Sequence, residues 1–198
     1  MTNRSYHHGD LKAALISAAN LLLKEKGITA LSLRTIASEV GVSHMAPYAH
    51  FKNKTELFQA IAAEGFRSLA QRMDAVKQDQ KATQQILDYG TEYIKFALDN
   101  APLYRLMLSQ TQVGGPDKTD EADHMSDELK EASKRPYTLL LNAFGEITDD
   151  KQIQHVRAQG AWSIVHGMSA FLIDGHLTIP EGMDIKTFLA TASMQVPK

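Results

Sequence analysis

Residues 32–57, SLRTIASEVGVSHMAPYAHFKNKTEL, place helix stop and start signals so close together that they fit a helix-turn-helix and little else. Ser32 stands where an N-cap hydroxyl can accept from a free N–H of the first turn. Leu31 and Ile36 have the spacing of a hydrophobic staple across that cap. Gly41 can take the left-handed conformation that closes a helix, with Val42 folding back toward Ala37. Ser43 is a second N-cap candidate, so the spacing predicts a new helix almost at once. Two short helices around a glycine turn allow the second to lie in the DNA major groove. A third start follows, where Asn53 and Glu56 form the reciprocal pair of a capping box. Lys54 then falls on a first turn whose free N–H groups already favour an anion. Tyr48 and His50 bring polar-tipped rings to the same stretch. Singly, Lys54 reads as a solvated lysine and Tyr48 as a packing residue; converging over so few residues, they read as a surface for DNA phosphate.

Charge distribution agrees with that placement. The net charge of −2 says nothing about nucleic acid, but residues 1–55 hold 7 Lys/Arg against 3 Asp/Glu, and the remainder 14 against 20. A basic head on an acidic body suits a protein that turns one end to phosphate. At 198 residues the chain is long enough for one or two domains. It has no cysteine, which removes disulfides, thiolate metal sites and a cysteine nucleophile. MTNRSYHHGDLK lacks the apolar core of a signal peptide, and no run approaches the length of a membrane span. A cytoplasmic protein without membrane contact is expected.

Helical periodicity dominates the rest, and the fold class is all-α. Asp10 is placed to cap a first helix in which Leu11, Leu15, Ala18 and Leu22 share one face. Gly27 stops it, and Ile28 is expected to fold back on Leu23. After Asn53 a long amphipathic helix is predicted to about Val76, with Leu57, Ile61, Phe66, Leu69 and Met73 on its apolar side. A helix carrying Ile86, Tyr89, Tyr93, Phe96 and Ala97 follows the polar stretch KQDQKATQQ, and a short one follows Pro102. Residues 114–128 read as an exposed acidic loop. Pro136 is expected to kink the next helix or to open a new one.

Residues 158–175, AQGAWSIVHGMSAFLIDG, are too apolar all round for a helix with one buried face. Ile153, Val156, Gly160, Ile164, Gly167 and Phe171 make one stripe; Ala161, Val165, Met168 and Leu172 make another. Two apolar faces call for two partners, the helix's own core and a second subunit. Burial wholly within one subunit is the alternative.

YHHGDLKAALISAANLLLKEKGITALSLRTIASEVGVSHMAPYAHFKNKTELFQAIAAEGF resembles the DNA-binding head of the TetR/AcrR family of bacterial transcriptional regulators. Trp162, His166 and Gly167, in AWSIVHG, resemble the Trp-His-Gly ligand-binding domain of one branch of that family. Pro47 departs from the pattern, which more often has Leu there; lacking an N–H, it fits only the first turn of the recognition helix. The resemblance implies a homodimer of nine or so helices per subunit, with a helix-turn-helix domain over 1–56 and a ligand-binding and dimerisation domain over 57–198. It implies a palindromic double-stranded DNA operator bound by a repressor and a small-molecule effector that releases the operator or modulates its binding; no cofactor and no metal are expected.

Carried over position by position, Ser43, His44, Met45, Ala46, Tyr48 and His50 belong to the recognition helix. His44 and Met45 are assigned to base edges, and Ser43, Tyr48, His50 and Lys54 to phosphate. Ser32, Arg34 and Thr35 are assigned to phosphate from the other side, and Arg4, Tyr6 and His7 to a short basic arm. Candidates for the ligand pocket are Tyr89, Tyr93, Phe96, Met107, Tyr137, Trp162 and His166, with Tyr104, Phe144 and Met168 further possibilities. Each of these is also a plausible core residue, and His166 a plausible donor to a neighbouring carbonyl.

Two rival readings are weaker. HGMSAF around Ser169 has Phe171 where a nucleophile elbow needs its second glycine, and it lies in a helical pattern. His7, His8, His124, His155 and His176 form no metal-ligand spacing, so an enzyme is not expected. A ligand-free architectural DNA-binding protein would need a tightly packed body, against which the aromatic-rich body argues.

Overall fold

The computed structural model describes residues 11–77, 80–111 and 125–193. These form eight α-helices, which we number α1 Leu11–Lys26, α2 Leu33–Val40, α3 Lys54–Asp74, α4 Ala82–Asp99, α5 Ala101–Thr111, α6 Asp127–Gly145, α7 Lys151–Ile173 and α8 Ile185–Ser193. Two 3-10 turns, Ile28–Ala30 and Ala46–Ala49, complete the described secondary structure, which contains no strand. The protein is all-α, as the periodicity requires. The cap assigned to Asp10 and most of the predicted 114–128 loop lie outside the described residues.

The chain falls into two compact units. The first comprises Met1–Gly65 with Pro102–Lys130, the second Phe66–Ala101 with Glu131–Lys198. A cut at residue 57 would fall inside α3, which runs unbroken from Lys54 to Asp74.

In the first unit, α1 buries Leu15, Ala19, Leu22 and Leu23. Its stop differs in detail from expectation. Gly27 has φ 76° but ψ 178°, so the chain leaves extended rather than curling back, and Ile28 stays 44% exposed at the head of the 3-10 turn. The left-handed turn that would return Ile28 to Leu23 needs ψ near +47°. By contrast, α2 closes as read. Ser32 Oγ accepts the Thr35 N–H at 3.0 Å, Gly41 sits at φ 77°, ψ 29°, and the Val42 N–H reaches the Ala37 carbonyl at 3.0 Å. Leu31 and Ile36, the staple pair, are both 1% exposed. They join Leu15, Leu23, Phe51, Leu57, Ile61 and Leu106 in one core.

The second unit is organised around α4, whose closest neighbours are α7 and α8. Gly90 sets that approach: a Cβ there would stand 2.7 Å from Leu189 Cδ2 and 3.2 Å from Val165 Cγ1. Tyr89, Tyr93, Phe96 and Ala97 are buried on α4, as its apolar spacing predicts. Pro136 neither ends α6 nor starts a new helix; it is buried inside a helix continuous over Asp127–Gly145. Ion pairs Arg72–Asp99 at 2.9 Å and Arg135–Asp74 at 3.1 Å tie the surface. Exposed pairs of this kind contribute only about 0–1 kcal/mol each, so apolar burial holds the unit together.

Candidate functional site

The recognition segment is built differently from the helix that Ser43 was expected to open. Ser43 starts no α-helix. The N–H groups of Ala46, Tyr48 and His50 bond the carbonyls of Ser43, Met45 and Pro47 at 3.0, 3.1 and 2.9 Å, an i to i+3 pattern that ends as a 3-10 turn over Ala46–Ala49. Pro47 is the cause. An α-helix from Ser43 would need a Pro47 N–H bonded to the Ser43 carbonyl, and the proline ring would collide with that carbonyl. Tighter winding removes both demands.

Pro47 is buried, and this turns its neighbours outward. Met45 is 72% and Tyr48 51% exposed, and Ser43 and His44 are exposed beside them. Ala46 and His50 are half-buried. Two large side chains thus stand on the surface next to a packed proline and the buried Phe51.

The third helix starts as the capping box predicts, with one change of partner. Asn53 Oδ1 accepts the Glu56 N–H at 2.9 Å, while the Glu56 carboxylate takes the Lys52 N–H at 2.8 Å instead of that of Asn53. Lys54 is exposed on the first turn, its Nζ 5.0 Å from the Phe58 ring centroid. A cation at the positive end of a helix dipole is unfavourable alone and is relieved by an anion. Arg34 and Thr35 are exposed and Ser32 half-buried at the start of α2. The Thr35 hydroxyl donates to the Ala30 carbonyl at 3.0 Å and also contacts Ser32 Oγ, so both hydroxyls take part in the cap. Arg4, Tyr6 and His7 lie outside the described residues.

The second unit contains a cavity of about 500 Å³ whose lining is mostly apolar. It draws on Met73 from the end of α3, Ile86, Leu87, Tyr89, Gly90 and Tyr93 from α4, Leu140 and Phe144 from α6, Trp162 and Val165 from α7, and Leu189 from α8. Of the residues assigned to a pocket from sequence, Tyr89, Tyr93 and Trp162 line it, with Phe144 from the wider set. Phe96, Tyr137, His166 and Met168 do not; Phe96 is core at 1% exposure. Met107 and Tyr104 are buried in the other unit, where the Met107 side chain fills the space a Cβ on Gly65 would need.

His166 sits behind the cavity wall with a complete set of partners. Its Nδ1 is 3.2 Å from the Trp162 carbonyl, and the Tyr93 hydroxyl lies against the ring edge, 3.0 Å from Nδ1 and 3.1 Å from Nε2. The tautomer with Nδ1–H donating to the Trp162 carbonyl leaves Nε2 as the acceptor for the Tyr93 hydroxyl. Burial, partly offset by the carbonyl, lowers its pKa below the ordinary histidine value. Trp162 is packed edge-on against Tyr93 and Tyr137, with centroids at 5.1 and 5.6 Å. Tyr137 and His166 thus hold Trp162 in place.

Sequence reasoning missed Arg157, Thr83 and Ser193, exposed residues of the lining. Arg157 had a readable signal: it precedes Ala161 and Ile164 by four and seven residues, the one charge on an otherwise apolar side of α7.

The two stripes of α7 have different fates. Val165 and Met168 are buried and Ala161 and Leu172 half-buried, whereas Ile153, Val156, Ile164 and Phe171 are 43%, 62%, 41% and 56% exposed. Burial of the whole helix in one subunit is therefore ruled out. Gly160 and Gly167 have nothing within 4 Å of a built Cβ. Ser169 is 0% exposed inside α7, out of reach of any substrate. No helix among the described residues is long and apolar enough to cross a membrane.

Residues 15–61 match the family model for bacterial regulatory proteins of the tetR family, and residues 86–192 that for the tetracyclin repressor-like C-terminal domain. The chain is 42% identical over 67 residues to the HTH-type nicotine-responsive transcriptional repressor HdnoR of Paenarthrobacter nicotinovorans; the match spans 34% of this chain and only about a third, 34%, of that repressor. A solved structure of a protein of unknown function from Rhodococcus sp. RHA1 is similar over 96% of this chain and 95% of its own, at 27% identity and a TM-score of 0.76. BioQ, solved with its natural double-stranded DNA operator, is similar in fold over 82% of this chain and 86% of its own, at 21% identity and a TM-score of 0.58. With both family models matched in order along its length, the chain belongs to the TetR family of bacterial regulatory proteins, and is a transcriptional regulator with a DNA-binding helix-turn-helix, not an enzyme.

Proposed function

We propose that this regulator is a repressor that binds a palindromic double-stranded DNA operator as a homodimer and is released by a small molecule held in its C-terminal part. In this reading residues 1–56 are the DNA-binding domain and 57–198 the ligand-binding and dimerisation domain. His44 and Met45 read base edges; Ser43, Tyr48, His50 and Lys54 hold phosphate, as do Ser32, Arg34 and Thr35 from α2. Ala46 lies against the groove, and Arg4, Tyr6 and His7 reach from the N-terminal arm. The observation that carries this is the outward presentation of Met45 and Tyr48, with Lys54 also exposed, within the segment matched by the tetR-family model. Trp162, His166 and Gly167 on α7 support placement in the Trp-His-Gly branch.

Dimerisation is supported by the exposed α7 stripe. Gly160 and Ile164 belong both to that stripe and to the cavity lining, so the seam and the ligand would share a wall. A ligand that pushes on this wall would disfavour one subunit arrangement. The two recognition segments must lie about 34–36 Å apart to enter successive major grooves. A coupling of roughly 1–3 kcal/mol then alters operator affinity about 5- to 150-fold.

The test is selection of bound fragments from source genomic DNA, followed by affinity measurement at fixed salt with and without a metabolite library. Recovery of a two-fold symmetric site whose affinity falls with one compound is expected. Binding with no preference among duplexes, or no compound that alters it, would refute the reading.

A further inference from the structure

We propose that the cavity takes an organic acid with an apolar body, its acid group paired with Arg157 at the rim. This rests on the reading above that the cavity holds the effector, and names the chemistry of that ligand.

Four observations converge on it. Among the described residues, Arg157 is the one charged side chain of the lining, and no carboxylate lines the cavity. No described side chain makes an ion pair or hydrogen bond with its guanidinium. The two phenol tips of the lining are engaged within the fold, the Tyr93 hydroxyl by His166 at 3.0–3.1 Å and the Tyr89 hydroxyl by the Gln85 amide at 2.9 Å, which leaves the Trp162 indole N–H as a further donor facing a ligand. Most of the remaining lining, from Met73 and Ile86 to Leu140, Phe144 and Leu189, is apolar.

A ligand matching this layout has an apolar body for the interior and a negative end for the rim. A guanidinium presents a planar fork of donors that fits a carboxylate with two parallel hydrogen bonds. An amine would meet a like charge with no counter-ion. A neutral alcohol would fill the same apolar space and leave the cation solvated. Because Arg157 is exposed, the pair gains less than a buried one, about 2- to 5-fold in affinity over the alcohol.

Trp162 is the chain's single tryptophan and lines the cavity, so its emission reports occupancy without DNA. The full-length protein is titrated with octanoate, decanoate and dodecanoate, and with the matching alcohols and amines, below their micelle concentrations. Each acid is expected to bind about 2- to 5-fold more tightly than its alcohol, and by a wider margin than its amine, with the advantage shrinking as salt rises. Arg157→Gln should remove the acid's advantage while leaving alcohol affinity and the melting temperature unchanged, and Arg157→Lys should keep part of it. Equal binding of acid and alcohol by the unaltered protein overturns the proposal while leaving the cavity as the ligand site. A preference that survives Arg157→Gln overturns the assignment to that residue. If no compound perturbs Trp162, both the proposal and the ligand-cavity reading fail.

Discussion

Val156→Lys separates a seam between subunits from an idle apolar surface, because the two give effects of very different size. Val156 is 62% exposed on α7 and does not line the cavity. Within a lone subunit the change is a surface substitution within about ±0.5 kcal/mol, and lysine favours the helix slightly over valine. In a seam the outcome differs. Full burial of a valine contributes about 1.5–3 kcal/mol; seating the exposed three-fifths of this one contributes about 1–2 kcal/mol. An isologous dimer loses that twice, about 2–4 kcal/mol, before any cost of enclosing two ammonium groups. At 1.4 kcal/mol per tenfold, dimerisation weakens roughly 30- to 700-fold. Sedimentation equilibrium at micromolar concentration reads the constant directly, and thermal melting of dilute protein reads the subunit. A dimer constant unchanged within threefold would refute the seam. A melting point lowered by several degrees in the dissociated subunit would show instead that Val156 is packed internally.

Lys54→Ala should weaken binding to all duplexes alike and reduce the salt slope by about 0.9 for each phosphate no longer neutralised, as read by anisotropy at several salt concentrations. An unchanged slope would mean that Lys54 meets no phosphate. His44→Ala and Met45→Ala, at exposed positions, should change which operators are selected and leave melting unaltered; selection of the same site as before would show that they read no bases. Gly90→Ala should destabilise in urea by about 0–2 kcal/mol, because overpacking against buried Leu189 and Val165, about 1–3 kcal/mol, outweighs a helix gain of about 1 kcal/mol; a stabilised variant would mean those side chains yield. Burial lowers the pKa of His166, so the unfolded chain binds its proton first as pH falls through 6.5. Stability should accordingly fall with acidification below that pH, and His166→Gln should flatten the profile in melting scans; identical profiles would show that His166 titrates as freely when folded as when unfolded.

The all-α fold, the caps at Ser32 and Asn53 and the turn at Gly41 are legible in the sequence because their causes are local. A cap oxygen, hydroxyl at Ser32 and amide carbonyl at Asn53, accepts the N–H three residues on, and a glycine at positive φ answers to its own backbone. The departures from expectation are local too, and each turns on one residue. Pro47 converts an expected α-helix into a 3-10 turn, and the extended ψ of Gly27 sends Ile28 outward.

What periodicity determined of α7 was that it has two apolar sides; only packing decided which of them faces the core and which is left to solvent. The cavity was beyond sequence reasoning for a related reason. Its walls come from five helices spread from Met73 to Ser193, so aromatic and apolar residues of similar character part company once folded: Tyr93 and Trp162 reach the space while Phe96 and Met107 fill cores. Helix-forming signals act over three or four residues. Which side chains share a cavity depends on how separate helices cross, and at Gly90 that crossing is set by a missing side chain.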